Sequence, residues 1–411
     1  MTPDPQFAQS DEPSALALRF DAEYETDPHA FQRRVRRRAM VCCALLPMLA
    51  MLPLLSAFLI VVLIWLKQGS LSNAIEMFAL TAYAGNIATL VRLRALYRPN
   101  KFERQLQPND APGLFDLIDD LRQASRAPKI HEVTITTHMN AAANQRPVST
   151  VLGIWRNELI IGLPLVLAMP EEEFRSILAH ELAHFSGEHG HSQILVTRAR
   201  VVANAMLWHF SDVVMIGFLP IRRLNKFYLP EFLAMAAVFD RRHEYQADSV
   251  EAGICGPVIA GNALKRLTIA HSYMAFLQRE YWNEIPDPGC RPARLPYSDM
   301  AEMLQHACAW EKAGIVLQND LEEAPGLYDS HPTLTQRLNS FGADSEMPKP
   351  IQRNAKHLLE PALEGLVSGF DDLWWAEHSD NWNKSRNRLS RLKALDQITK
   401  PQGPWSAPVP A

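Results

Sequence analysis

The residues best suited to chemistry are two histidines spaced four apart with a glutamate directly after the first. His180, Glu181 and His184 form an HExxH motif. In an α-helix, positions i and i+4 lie on the same face, so both imidazoles can bind one metal ion. The Glu181 carboxylate can then reach a water molecule in the open position of the metal. The spacing therefore predicts a catalytic metal centre in which Glu181 is the base.

The motif needs a third ligand, because a chain with 14 histidines contains an accidental HExxH in roughly a few per cent of cases. Glu244 can supply that ligand, and Asp248 follows it on the same helical face. We expect Glu244 to bind the metal and Asp248 to brace the site from behind. Two histidines and one glutamate leave a position for water, which is typical of a catalytic zinc rather than a structural one.

The sequences HELAH at residues 180–184 and EYQAD at residues 244–248 resemble motifs of the gluzincin family that contains the CAAX prenyl endopeptidases and the bacterial heat-shock protease HtpX. Residues 140–143 resemble the start of that family's substrate-binding edge strand. Residues 157–162 resemble the strand before its metal helix, and residues 330–338 resemble a late His-Pro segment. The similarity extends from about residue 105 to residue 340.

The resemblance implies a zincin-type domain with one Zn²⁺ per chain. It implies protein or peptide substrates, bound along a strand that begins at Asn140, Ala141 and Ala142. It also implies that His331 donates a hydrogen bond to the oxyanion of the reaction, although chemistry alone favours a structural role for a lone histidine before proline. Arg337 is expected to pair with Asp248 and hold the glutamate helix in place.

Residues 1–38 predict a mobile tail that ends in a basic run with five arginines between positions 33 and 38. Residues 39–66 contain no Asp, Glu, Lys or Arg, and a helix of that length spans about 42 Å. This exceeds the roughly 30 Å of a bilayer's hydrocarbon core, so the segment is typical of a transmembrane helix.

A second apolar stretch, residues 71–91, is weaker because Glu76 interrupts it, and a surface or buried helix competes with a second crossing. Basic residues flank both stretches on their outer sides, which favours a hairpin with both ends in the cytoplasm. We therefore expect two transmembrane helices within residues 39–92 of an integral protein of the bacterial inner membrane. The catalytic domain would face the cytoplasm.

The remaining chain predicts a mainly α fold with a small β-sheet, an α+β class, for a metallopeptidase domain at residues 105–345. The pattern of residues 152–165 is typical of a strand with a turn at 155–157. Residues 201–239 are predicted to form core helices that touch the membrane surface. Residues 350–400 predict a helical extension with buried tryptophans, and residues 401–411 a disordered tail.

Composition excludes some partners and leaves others open. The net charge of −4 argues against a nucleic-acid-binding protein, and five cysteines without disulfide or metal spacing suit a reducing compartment.

Taken together, the motifs, the resemblance and the apolar segments predict a membrane-anchored zinc endopeptidase that hydrolyses membrane-associated or misfolded proteins. A catalytically silent membrane scaffold, a maturation protease with one substrate and a hydrolase of a non-peptide group are the alternatives. The oligomeric state stays open.

Overall fold

The computed structural model describes residues 12–65, 102–149, 154–186, 190–210, 223–283, 291–292 and 294–399. The described helices are α1 Glu12–Thr26, α2 Pro28–Trp65, α3 Pro112–Ser125, α4 Leu163–Ala168, α5 Glu171–Ala183, α6 Gly190–Phe210, α7 Leu229–Cys255, α8 Pro257–Asn283, α9 Pro296–Met303, α10 Ala313–Leu321, α11 Leu334–Phe341 and α12 Leu363–Thr399. The described strands are β1 Glu103–Leu106, β2 Glu132–Thr136, β3 Ala141–Ser149 and β4 Ile154–Gly162. Mainly helical structure around a small mixed sheet confirms the predicted α+β class.

The sheet places strand β3 at its edge, in the order β1-β2-β4-β3. Strands β2 and β4 are parallel, whereas β3 pairs with β4 in antiparallel fashion. The predicted turn at residues 155–157 is wrong, because these residues belong to β4 and pair with residues 145–147 of β3. Cross-strand pairing outweighs the local turn preference of Arg156 and Asn157.

Helix α5, which carries the HExxH motif, is anchored in the core that the sheet shares with α3, α4 and α8. Phe174 and Leu178, one helical turn apart, are fully buried on this helix. The helix begins after Pro170 with three glutamates, whose charges favour the positive end of the helix dipole. The motif thus lies on a rigid element rather than on a loop.

The N-terminal helices pack against the helix that carries Glu244. Phe20 of α1 and Phe31 of α2 are fully buried, in one apolar cluster with Phe232 and Phe239 of α7. Burial of apolar side chains at about 25 cal/mol per Å² stabilises this arrangement. Residues 12–38 are therefore helical and packed, in place of the mobile tail that the sequence predicts; residues 1–11 lie outside the described part.

The predicted membrane segments have different outcomes. Residues 39–65 continue helix α2 without a break after the arginine run, whereas the second segment at residues 71–91 lies outside the described residues. In the described parts of the chain, no helix is both long and apolar enough to cross a bilayer. The transmembrane hairpin stays a prediction.

The regions on either side of the sheet and helix α5 are helical. Helices α6 and α7 contain most of the predicted core helices of residues 201–239, and every residue from 232 to 239 is buried; residues 211–222 are not described. In the C-terminal extension, Trp374 and Trp382 of α12 are buried, in line with their predicted core role. The tail at 401–411 lies outside the described residues.

Candidate metal centre

Helices α5 and α7 bring the three predicted metal ligands together. The Nε2 atoms of His180 and His184 lie 3.2 Å apart. The Glu244 carboxylate faces both, with Oε2 at 3.4 Å from Nε2 of His180 and Oε1 at 3.5 Å from Nε2 of His184. The three groups form one cluster that can hold a metal ion.

These separations fit a tetrahedral zinc site. Zinc bonds of 2.0–2.1 Å to nitrogen and oxygen place neighbouring ligand atoms about 3.3 Å apart. Without a cation, at most one or two protons can link the two imidazole nitrogens and the carboxylate at these distances. Glu244 Oε2 has no well-aligned hydrogen bond with any described residue, which fits a site built for a metal ion. The donor set, two histidines and one glutamate, is that of catalytic zinc, with a position left for water.

The base candidate, Glu181, is positioned by the edge strand. Its Oε2 accepts a hydrogen bond from the backbone N–H of Ala143 at 3.1 Å. Burial raises the pKa of Glu181 to about 7, and the nearby charge of Glu244 acts in the same direction. Such a carboxyl can both accept and return a proton near neutral pH.

Burial and pairing set the charges of the ligands. Burial lowers the pKa of His184 to about 4, so its imidazole is neutral and free to donate electrons to a metal. Burial opposes ionisation of Glu244, but contacts with His180 and His331 outweigh it and hold the pKa of Glu244 below its ordinary value. A neutral imidazole and an ionised carboxylate are the forms that bind zinc. Burial opposes protonation of His180, but contacts with Asp248, Glu244 and Glu251 outweigh it and raise the pKa of His180, so zinc binding there must release a proton.

Arg337 pairs with Asp248 as expected. Its Nε donates to Oδ2 at 3.0 Å and to Oδ1 at 3.2 Å, and Nη2 also donates to Oδ1. Asp248 is 1% exposed, and its Oδ1 lies 3.1 Å from Nδ1 of His180. The pair thus joins α11 to α7 and contacts the back of a metal ligand.

His331 lies at the mouth of the site. Its Nδ1 is 3.0 Å from Oε2 of Glu244, and its side chain is 68% exposed. The contact with Glu244 raises the pKa of His331, which favours the protonated, donating form. Two arginines hold the preceding loop. The buried Arg241 donates to the carbonyl of Asp329 at 3.1 Å, and the half-buried Arg200 donates to that of Tyr328 at 3.3 Å.

Strand β3 presents alternate backbone groups along its outer edge. Gly162 donates to the carbonyl of Asn140, so Asn140 and Ala142 bond towards β4, whereas Ala141 and Ala143 face outwards. The outward N–H of Ala143 reaches Glu181, which places this edge directly beside the metal ligands. An extended peptide can add to such an edge next to the base.

Two polar side chains that the sequence motifs do not include also contact the ligands, and a third contacts one of these two. The Gln193 amide is 3.2 Å from Nδ1 of His184, and Glu251 Oε2 is 3.2 Å from Nδ1 of His180. Ser176 donates to Glu251. A signal was present, because Glu251 and Ser176 share helical faces with Asp248 and His180 at spacings of three and four.

Comparisons with known proteins agree with this geometry. The sequence profile of peptidase family M48 matches residues 120–343, a range that contains the ligands, Glu181, His331 and Arg337. A curated protease HtpX homolog from Gemmatimonas aurantiaca is 31% identical over 176 residues. The match covers 38% of this chain and 58% of that relative. No solved structure matches the chain.

Proposed function

The chain belongs to peptidase family M48, and on this basis we propose that it is a zinc-dependent endopeptidase held at a membrane. The family membership confirms the resemblance seen in the sequence. The observation that carries the zinc proposal is the convergence of His180, His184 and Glu244 at separations of 3.2–3.5 Å. We infer that these three residues bind one Zn²⁺ per chain.

Zinc, when bound, supplies Lewis acidity and lowers the pKa of a coordinated water molecule. Glu181 accepts a proton from the attacking water and delivers it to the leaving amine. The raised pKa of Glu181, about 7, suits both halves of that transfer. The N–H of Ala143 keeps the carboxylate directed at the reacting centre.

The protonated imidazole of His331 stabilises the oxyanion that develops on the substrate carbonyl. Its exposed position at the mouth of the site leaves it accessible to a bound peptide. The contact with Glu244 raises the pKa of His331, which favours the protonated form, and it orients the ring. A kinetic test is His331→Ala, for which we expect a lower kcat with zinc content unchanged; an unchanged kcat removes His331 from the mechanism.

Substrate polypeptide adds to the outer edge of strand β3, which begins with Ala141 and Ala142 directly after Asn140. Backbone hydrogen bonds to the outward groups of Ala141 fix an extended segment independently of its side chains. This mode suits unfolded stretches of many proteins. We therefore propose misfolded or membrane-associated proteins as the substrate class.

Membrane attachment is proposed from the sequence and surface of helix α2. Arg33, Arg36 and Arg37 are exposed and share one helical face, whereas Arg34 and Arg38 are half-buried and contact Glu23 and Glu231 of the neighbouring helices α1 and α7. Exposed arginines directly before an apolar run suit the phosphate groups of a cytoplasmic leaflet. The apolar run at 39–66 then enters the bilayer, with the catalytic domain in the cytoplasm.

The decisive measurement is the zinc content per chain of detergent-purified protein, compared with the variants Glu244→Ala and Glu181→Gln. We expect about one zinc in the wild type and in Glu181→Gln, and much less in Glu244→Ala. Casein cleavage should be retained only by the wild type. Wild-type protein that holds no zinc refutes the proposal and leaves a membrane scaffold. Zinc without cleavage favours a dedicated maturation protease.

A further inference from the structure

Glu251 is a buried carboxylate on helix α7 that has no part in the mechanism proposed for the metal centre. It is 1% exposed, and its Oε1 accepts a hydrogen bond from the hydroxyl of Ser176 at 2.7 Å. Its Oε2 lies 3.2 Å from Nδ1 of His180 and makes no well-aligned hydrogen bond with any described residue. A buried carboxylate with a single hydroxyl donor is costly, so a second donor is expected.

The donor that Glu251 lacks is supplied when His180 binds a metal. A histidine that coordinates through Nε2 carries its remaining proton on Nδ1, and that proton needs an acceptor. Two carboxylates lie within reach of Nδ1 of His180: Asp248 Oδ1 at 3.1 Å and Glu251 Oε2 at 3.2 Å. Nη2 of Arg337 also lies 3.2 Å from Nδ1 of His180, but a guanidinium has no acceptor atom and cannot accept this proton.

The two carboxylates are not equivalent acceptors. Arg337 donates to both oxygens of Asp248, which reduces the electron density that Asp248 can offer to an imidazole N–H. Among the described residues, the side chain that donates a well-aligned hydrogen bond to Glu251 is the neutral hydroxyl of Ser176. Glu251 therefore keeps the more available negative charge next to His180.

We propose that Glu251 is a positioning residue that accepts the Nδ1 proton of His180 together with Asp248. It fixes the imidazole in the tautomer with Nε2 free for the metal, and its charge makes that nitrogen a stronger donor. This inference rests on the proposed zinc site at His180, His184 and Glu244. It adds a second acceptor behind one ligand, one helical turn beyond Asp248.

The test is the zinc affinity of Glu251→Gln, measured by competition with a chromophoric chelator. This variant keeps the shape of the side chain but removes its charge. We expect the Kd for zinc to rise about tenfold or more, which is the range found when partners of metal-bound histidines are lost. The absorption bands of the cobalt(II)-substituted protein should also shift, because the donor strength of His180 changes.

Glu173→Gln is the matched control. Glu173 is a buried carboxylate of α5 that pairs with Arg266, with Oε1 to Nη2 at 2.9 Å, and it makes no contact with a metal ligand among the described residues. We expect this variant to melt at a lower temperature while its zinc affinity stays within about twofold of the wild type. The control separates a general loss of stability from an effect on the metal.

The outcomes distinguish this inference from the function on which it rests. If the wild type binds no zinc, the proposed function fails. If the wild type binds zinc and Glu251→Gln binds it equally well, with an unchanged cobalt spectrum, only the role of Glu251 is overturned. Should Glu251→Gln not fold, Glu251→Asp retains the charge but withdraws it from Nδ1. Weaker zinc binding by that variant upholds the inference, and unchanged binding overturns it.

Discussion

The ion pair between Arg337 and Asp248 allows a quantitative test of how the site is held together. Replacing Arg337 by methionine keeps the packing of the long side-chain stem but leaves the Asp248 carboxylate, 1% exposed, without its guanidinium. Removal of one member of a buried pair costs about 3–5 kcal/mol. Because His180 Nδ1 remains 3.1 Å from Asp248, we expect the lower end, about 3 kcal/mol.

The assay is urea unfolding of the metal-free protein in detergent, followed by circular dichroism, in a double-mutant cycle. Asp248→Asn alone leaves Arg337 buried without a counter-ion, whereas the double variant removes both charges together. We expect the double variant to regain stability relative to the sum of the single variants, with a coupling energy of about 2 kcal/mol. Arg122→Met is the control. Its guanidinium pairs at 2.8 Å with an aspartate that is 58% exposed, so the loss should stay below about 1 kcal/mol.

Strictly additive losses in this cycle would refute the reasoning, because they would mean that Arg337 and Asp248 stabilise the fold independently. A loss for Arg337→Met no larger than that for Arg122→Met would do the same. It would indicate that water reaches Asp248 in solution despite its burial in the structure.

Three further predictions concern the strand edge, a glycine and pH. Ala143→Pro removes the N–H that holds Glu181, so peptide cleavage should fall about 10–100-fold with zinc content unchanged. Gly162→Ala should lower the melting temperature sharply, because a Cβ there would lie 1.7 Å from the backbone carbonyl oxygen of His138. The control is Gly369→Ala on helix α12, where a Cβ would meet open space; this change should stabilise the protein by up to about 1 kcal/mol. Burial raises the pKa of Asp240 from 3.8 to about 6. The stability that this group contributes is therefore fully present below pH 3.8 and is lost as pH rises through about 6. In a pH series of melting curves, Asp240→Asn should remove this loss of stability.

Each of these predictions has a contradicting result. Ala142→Pro, whose N–H faces strand β4, should unfold the edge strand rather than spare it; equal effects at Ala142 and Ala143 would contradict the assigned register. Equal melting temperatures for Gly162→Ala and the wild type would show that the neighbouring backbone yields at little cost. For Asp240→Asn, a pH profile that parallels the wild type between pH 4 and 6 would exclude a proton on the native carboxyl.

The parts that could be predicted from the sequence depend on short-range geometry. An i,i+4 spacing on one helix determines that His180 and His184 face the same point, whatever the rest of the fold does. Glu244 and Asp248 are distant in sequence from the histidines, but their own i,i+4 spacing makes them candidates. The pairing of Arg337 is expected from the resemblance alone. Glu251 was missed because its spacing of three from Asp248 points to the site only once the helix and the face that carry the ligand are known.

The missed elements depend on long-range packing. Leu16, Phe20 and Tyr24 repeat every fourth residue, a helical period within an otherwise polar segment. That stripe is too short to predict a stable helix alone, and it becomes ordered by burial against α7. Similarly, Trp155 has a strand conformation because it pairs with Pro147 of β3, and the residues next to Trp155 in the sequence do not predict that pairing.

The shared apolar cluster of α1, α2, α6 and α7 has a practical consequence for expression of the enzyme. A fragment that starts at residue 102 would lack the side chains that cover Phe232 and Phe239 on the helix carrying Glu244. Such a fragment would expose these aromatic rings to water and aggregate. The N-terminal helices therefore belong to the same folding unit as the helix that carries Glu244. A version that needs no detergent should be sought by substituting apolar residues of the sequence after Cys43 rather than by truncation.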